Sequence, residues 1–108
     1  RVAEFMQVVI RCSESVGAEA FRARRKPAMK RWGDFGEGVG VKKSSDQITA
    51  HYTPEVLIGR QVMAVVNFPA RQIGSIMSEI LVLGVSDADG GIVLLSPDYK
   101  VANGQRMY

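Results

Sequence analysis

The sequence predicts an all-β fold, a small closed barrel. Three observations carry this: five or six short runs of strand-forming residues, one short helix signal between the third and fourth runs, and connections too short for the crossover helices of a parallel sheet. At 108 residues with 46% apolar content, the chain is long enough to bury a core as a single domain, residues 1–108, without metal or disulfide support.

Val2 to Val9 suits a short flanking helix or the entry to a strand, and Val8 to Cys12 has the β-branched character of a first strand. Phe21 to Pro27 reads as a loop, with cations gathered before a proline. Ala28 to Phe35 alternates well enough for a second strand, although Gly33 weakens it. The glycines at 33, 36, 38 and 40 then mark a turn, and Lys42 to Thr49 reads as a third strand.

The helix signal is Thr53 to Gly59. Thr53 can cap, Pro54 suits the first helical position, Glu55 favours the positive end of the helix and Gly59 can terminate it. A strand from Gln61 to Val66 follows, then a connector from Asn67 to Glu79, then a strand from Glu79 to Val85. Asp87 to Gly91 is a hairpin turn, because adjacent glycines tolerate positive φ, and Ile92 to Leu95 returns as its partner. This order is that of the OB-fold, a five-stranded Greek-key barrel with a helix between strands three and four. It binds ligands on the face of strands two and three and on the adjoining loops.

A barrel strand normally has one face inside and the other wet. Val62 to Val66, Ile80 to Val85 and Ile92 to Leu95 are apolar on both faces, so something must cover the outside of that half of the sheet. The chain's own termini could serve; a second copy would also serve, and a homodimer is the expectation.

Charge is unevenly spread. Between Ala20 and Lys43 eight cations face two anions, Asp34 and Glu37, which gives +6, whereas the net charge of the whole chain is +3. Such a basic zone is either a solvated loop or a footprint for phosphate or an acidic partner. Arg22, Arg24, Arg25, Lys26, Lys30 and Arg31 are its candidate contacts for RNA or an acidic partner.

Several chemistries lack their residues. His51 is the one histidine and Cys12 the one cysteine, so no zinc set and no internal disulfide can be built, and no metal or cofactor is expected. Ser78 beside Glu79 has no histidine or lysine partner, which leaves a hydrolase triad without support. Gly33 to Gly38 lacks a following helix and a Walker lysine, so it is a turn and not a phosphate cradle. No apolar run approaches the roughly 20 residues of a membrane span. The N-terminus carries no signal pattern, so no stable membrane insertion is expected and the expected location is cytoplasmic. The chain opens on Arg1 and not on methionine, which leaves room for sequence upstream.

What remains is a binding surface. The third strand offers Lys42, Lys43, Ser44 and Gln47, and the connector offers Asn67, Phe68, Pro69, Arg71, Gln72, Ile73, Met77, Ser78 and Glu79. On an OB-fold these two segments can approach one groove. Apolar walls with a few polar anchors suit an extended peptide, and a flexible methionine suits varied side chains. Alternatively Phe68, Ile73 and Met77 simply cap the barrel.

Spaced motifs over nearly the whole chain give a resemblance. They are Arg25-Lys26-Pro27-Ala28, Asp34-Phe35-Gly36, Lys42-Lys43-Ser44-Ser45 with Gln47-Ile48-Thr49, Asn67-Phe68-Pro69 with Arg71-Gln72-Ile73, Met77-Ser78-Glu79 with Leu81 to Gly84, and Asp87 to Gly91 with Val93 to Leu95. The chain resembles the CsaA family of secretion-linked chaperones, relatives of the tRNA-binding domain at the C-terminus of methionyl-tRNA synthetases. The resemblance implies a non-catalytic OB-fold homodimer that binds unfolded or exported polypeptides and cooperates with the protein-translocation ATPase. The alternative it leaves open is a tRNA-binding module of the synthetase type.

This chain departs from the pattern in places. It has Glu79 where the tRNA-binding relatives carry glycine, Arg11-Cys12-Ser13 where Arg-Val-Gly is usual, and Gly33 where a β-branched residue is usual. A carboxylate at 79 near the groove would repel phosphate and favour peptide. The basic Arg22 and Arg24 keep RNA in play.

Overall fold

The computed structural model describes residues 7–23, 26–73 and 76–108. β1 (Ile10–Ala23), β2 (Lys26–Asp34) and β3 (Val41–Asp46) form an antiparallel meander. Its other edge continues from β1 to β4 (Gln61–Val65) and on to β7 (Leu81–Val82), so the sheet runs β3-β2-β1-β4-β7. β7 also lies beside β3, which curls the sheet back on itself. This is the expected OB barrel, and its helix α1 (Pro54–Leu57) falls between β3 and β4 as the order requires. Thr53 caps α1 by accepting a hydrogen bond from the Val56 amide, Pro54 opens it, and Leu57 fills the core beneath. The helical alternative for Val2 to Val9 lies mostly outside the described residues, and no helix follows β9 (Ile92–Leu94) at the other end.

The core has two parts. Met29, Ile48, Tyr52, Leu57, Val62 and Leu94 pack as one cluster, with the Tyr52 hydroxyl accepting a 3.0 Å hydrogen bond from the Leu94 amide. Phe35, Ala64 and Ile80 form the other.

Four local expectations are corrected. The first strand does not stop at Cys12 but runs to Ala23, and within the stretch read as a loop from Phe21 to Pro27 residues 21–23 and 26–27 belong to a long β1–β2 hairpin. Beyond the region where β3 pairs with β2, residues 21–23 and 26–28 pair with each other alone, forming a short two-stranded arm. A β-bulge between Ser15 and Gly17 turns Val16 out to solvent and bends the strand toward this arm. Small residues such as Ser13, Ser15 and Gly17 hid the strand because they lack the β-branched signature.

β3 stops at Asp46 and does not continue to Thr49. The connector is not open chain: β5 (Arg71–Ile73) and β6 (Ile76–Ser78) pair as a short hairpin. Finally, the strand expected from Glu79 to Val85 is broken at Leu83 into β7 and β8 (Gly84–Ser86), and β8 leaves the barrel to pair with β9.

The apolar character of Gln61 to Val66 is explained within the chain. β4 is nearly buried along its length, and beside it the C-terminal segment is fastened to the start of β1. Cys12 donates from its amide to the Gln105 carbonyl, Gly104 donates to Cys12 and Met107 donates to Ile10. Gln61 anchors the same segment through its side chain, which bonds both the carbonyl and the amide of Val101. At Gly104 a Cβ would sit 2.1 Å from the Phe35 carbonyl oxygen and φ is +92°, so the segment needs glycine there. Val85, Val93 and Leu95, by contrast, remain exposed.

Candidate functional site

Strand parity decides where the predicted residues go. On β2 it sends Met29, Arg31 and Gly33 inward and Lys30 and Trp32 toward solvent. Arg31 is therefore fully buried, which removes it from any RNA-contacting surface. Its Nε donates to Ser15 Oγ at 2.7 Å, and its Nη2 donates to Ser13 Oγ at 2.9 Å and to the Ser13 carbonyl. Burial pushes its pKa down to about 10, with Asp46 and Cys12 opposing, so it keeps its charge at neutral pH. Gly33 is explained by this arrangement: a Cβ there would lie 2.6 Å from Arg31 Nη1 and 2.8 Å from Ser13 Oγ. A side chain at position 33 would therefore require Arg31 or Ser13 to shift.

Cys12 lies in the same interior. Burial raises its thiol pKa, with Arg31 acting the other way, as for an inert core cysteine.

The free edge of β3 is closed by the end of the β5–β6 hairpin. Glu79 donates from its amide to the Lys43 carbonyl at 2.9 Å, and its carboxylate accepts from the Lys43 amide at 2.9 Å. The Ser45 amide donates to Ser78 Oγ, which itself donates to the Ile80 carbonyl. Glu79 therefore works as a side-chain cap on a strand edge. Ser78 is nearly buried and Ser44 wholly so, the latter donating to Asp46 at 2.7 Å.

Between this closed edge and the segment after β4 lies a groove of about 280 Å³, lined by Ser45, Asp46, Phe68, Pro69, Arg71, Ser78, Ile80 and Leu81. The two segments singled out in the sequence do meet here. Phe68, Pro69 and Arg71 are exposed along it. Gln47 is exposed on the adjoining hollow, while Gln72 and Met77 are exposed on the hairpin outside the groove. Lys42 and Lys43 are half-buried on β3. Asn67 is committed elsewhere: its amide clamps the segment before β1, accepting from the Val9 amide and donating to the Gln7 carbonyl.

Lys30 lies over the Phe21 ring of the arm at 5.2 Å. The side chains of Arg22, Lys26 and Ile73, and all of Arg24 and Arg25, lie outside the described residues.

The residue that sequence reasoning missed is Asp46. Burial pushes its carboxyl up to about 6, against the Ser44 hydrogen bond and the charge of Arg31. Its signal in the sequence was faint, a carboxylate closing a run of lysines and serines. Among the described residues no group of three His, Cys, Asp or Glu could hold a metal ion, and no helix is long and apolar enough to cross a membrane.

Comparison with known proteins gives the class. The profile of the family described as "putative tRNA binding domain" matches residues 34–106. Among solved structures, the chaperone CsaA of Bacillus anthracis superposes with a TM-score of 0.91 at 42% identity, covering 100% of this chain and 97% of that one. The CsaA chaperone protein of Picrophilus torridus gives 0.87 at 38%, covering 100% and 98%. A methionyl-tRNA synthetase-related protein of Pyrococcus horikoshii, at 24% identity and a TM-score of 0.82, shares the fold.

Methionine–tRNA ligases also match, at 37% identity in Porphyromonas gingivalis and 32% in Chlorobium chlorochromatii. These matches cover 66% and 94% of this chain, yet the chain spans just 10% and 14% of those ligases' length. The chain belongs to the putative tRNA binding domain family, in its CsaA form.

Proposed function

We propose that this protein is a non-catalytic, export-related chaperone whose single domain binds unfolded or preprotein polypeptides in a groove of a homodimeric barrel. The observation that supports this most is the groove itself. Phe68, Pro69, Ile80 and Leu81 give it apolar walls, and Arg71 and Asp46 give it polar anchors of opposite sign, a composition suited to an extended peptide and poorly suited to a polyanion. The likeness to two CsaA chaperones supports the chaperone class.

Dimerisation is supported by exposed Leu81, Val85, Val93 and Leu95 on the β7–β9 side, with Met107 and Tyr108 exposed at the C-terminus. The protein-translocation ATPase is the partner, and the cytoplasm the location, that go with this reading.

One observation favours a second reading, tRNA binding. The two-stranded arm carries Arg22 and Lys26 near its end, beside Arg24 and Arg25 in sequence, which concentrates cations in one short stretch of the chain. Labelled unfolded peptide and labelled tRNA, titrated at two salt concentrations, separate the two. Counterion release makes tRNA affinity fall steeply with salt, whereas an apolar peptide groove responds weakly. Tight tRNA binding at physiological salt with no peptide binding would reverse the order of the two readings. Within the peptide reading, Phe68→Ala weakens peptide binding and leaves the oligomeric state unchanged.

A further inference from the structure

The groove is not neutral at its inner end. Ser45 and Asp46 line both the groove of about 280 Å³ and an adjoining hollow of about 510 Å³ that continues past Gln47, Ile48, Val82 and Ile92. An extended chain lying along the two would therefore pass the end of β3. The Asp46 carboxylate has one oxygen engaged by the Ser44 hydroxyl, and among the described residues no lysine or arginine forms an ion pair with it. Ser45 Oγ is buried and without a hydrogen-bond partner.

The charged groups facing this point are Arg31 from β2, held by Ser13 and Ser15 on the barrel's interior side, and Arg71 from β5 on the groove wall. No other carboxylate and no histidine lines either hollow. A partly buried carboxylate beside an unpartnered hydroxyl is costly unless a donor arrives.

We propose that Asp46 and Ser45 form a cation-selecting subsite, so that the groove prefers polypeptide segments in which a lysine or arginine stands beside apolar residues. The apolar neighbours of that cation lie against Phe68, Pro69, Ile80 and Leu81, and its ammonium or guanidinium donates to Asp46 and Ser45 Oγ. The inference rests on the peptide-binding reading above and names its substrate class.

Because burial already holds the Asp46 carboxyl at about 6, the preference is titratable: the carboxylate is mostly ionised at pH 7.5 and mostly protonated at pH 5.

The test uses two labelled decapeptides of leucine, serine and glycine that differ at one central position, lysine or glutamine, with binding read by fluorescence anisotropy. At pH 7.5 the lysine peptide binds about tenfold more tightly. At pH 5 that advantage falls by about tenfold, as protonation of a group near 6 dictates. The glutamine peptide changes little between the two pH values.

Asp46→Asn keeps the shape and the acceptor for Ser44, and in this variant both peptides bind alike at both pH values, with its melting curve confirming the fold. Equal affinities of the two peptides for the wild type overturn the subsite and leave the peptide-binding reading standing. A lysine preference that survives in Asp46→Asn overturns it as well. Binding of neither peptide removes the peptide-binding reading and the subsite with it.

Discussion

Two ends of this small barrel handle their awkward residues in opposite ways. Between β1, β2 and β3 an arginine is drawn fully inside and held by two serines, with a glycine opposite giving it room. At β8 and β9 the chain does the reverse and leaves Val85, Val93 and Leu95 in solvent. The first end contains a charge that needs its partners within the chain. The second presents apolar surface that the chain does not cover, although the neighbouring β4 is nearly buried. The contrast teaches that a buried charge obliges the chain to supply its partners, whereas exposed apolar surface leaves room for a partner from outside.

Substitution of Arg31 probes the polar end and has the largest expected effect. Arg31→Ala leaves a cavity and strands the Ser13 and Ser15 hydroxyls, and unfolding by urea is expected to show a loss of about 3–5 kcal/mol. Replacing all three together, as Arg31→Met with Ser13→Ala and Ser15→Ala, is expected to restore part of that loss, since the two hydroxyls that the arginine engages are removed with it. If Arg31→Ala melts like the wild type, the buried network is not what holds this end.

Asp46 is expected to give an intermediate effect, seen as a pH dependence. Its folded-state pKa of about 6 lies above the ordinary 3.8, so the native state binds the proton more tightly than the unfolded chain does. Its contribution therefore raises stability as pH falls from about 7 to about 4, by up to about 2 kcal/mol. Comparing denaturation midpoints of wild type and Asp46→Asn across that window isolates the effect, and the variant's profile should be flatter.

The apolar end should show the smallest effect on folding and a clear one on association. If the proposed dimer forms through this face, Val85→Asp with Val93→Asp is expected to sediment as a monomer at concentrations where the unsubstituted chain self-associates. At dilutions where both are monomeric, their stabilities should agree within about 0.5 kcal/mol. Loss of the fold in this variant would mean that Val85 and Val93 support the core and not an interface.

Much of the barrel was legible because its signals are local. The Thr53-Pro54 cap, the glycine turn after Asp34, the hairpin turn from Asp87 to Gly91 and the apolar run of β4 each depend on a few adjacent residues, and each stands where the sequence put it. The long β1 was obscured by its serines and glycine, and the β5–β6 hairpin by the polar residues of a segment that looked like a connector. At the candidate site, Phe68, Pro69 and Arg71 were found because apolar and cationic residues stand out in an exposed loop. Arg31 and Ser44 were mistaken for surface residues because their composition is polar and their strand parity is not apparent from composition.

The sequence by itself determined the architecture: the order of the main barrel strands, the helix between the third and fourth, and two segments able to form a groove. The tertiary structure decided which side of each strand faces inward, where the C-terminal segment is fastened, and that Asp46 stands at the junction of two hollows. The physical reason is range. Caps and turns are set by hydrogen bonds a few residues apart, whereas register, burial and the field around a carboxylate are set by residues such as Arg31 and Ser13, eighteen apart, that meet only when the barrel closes.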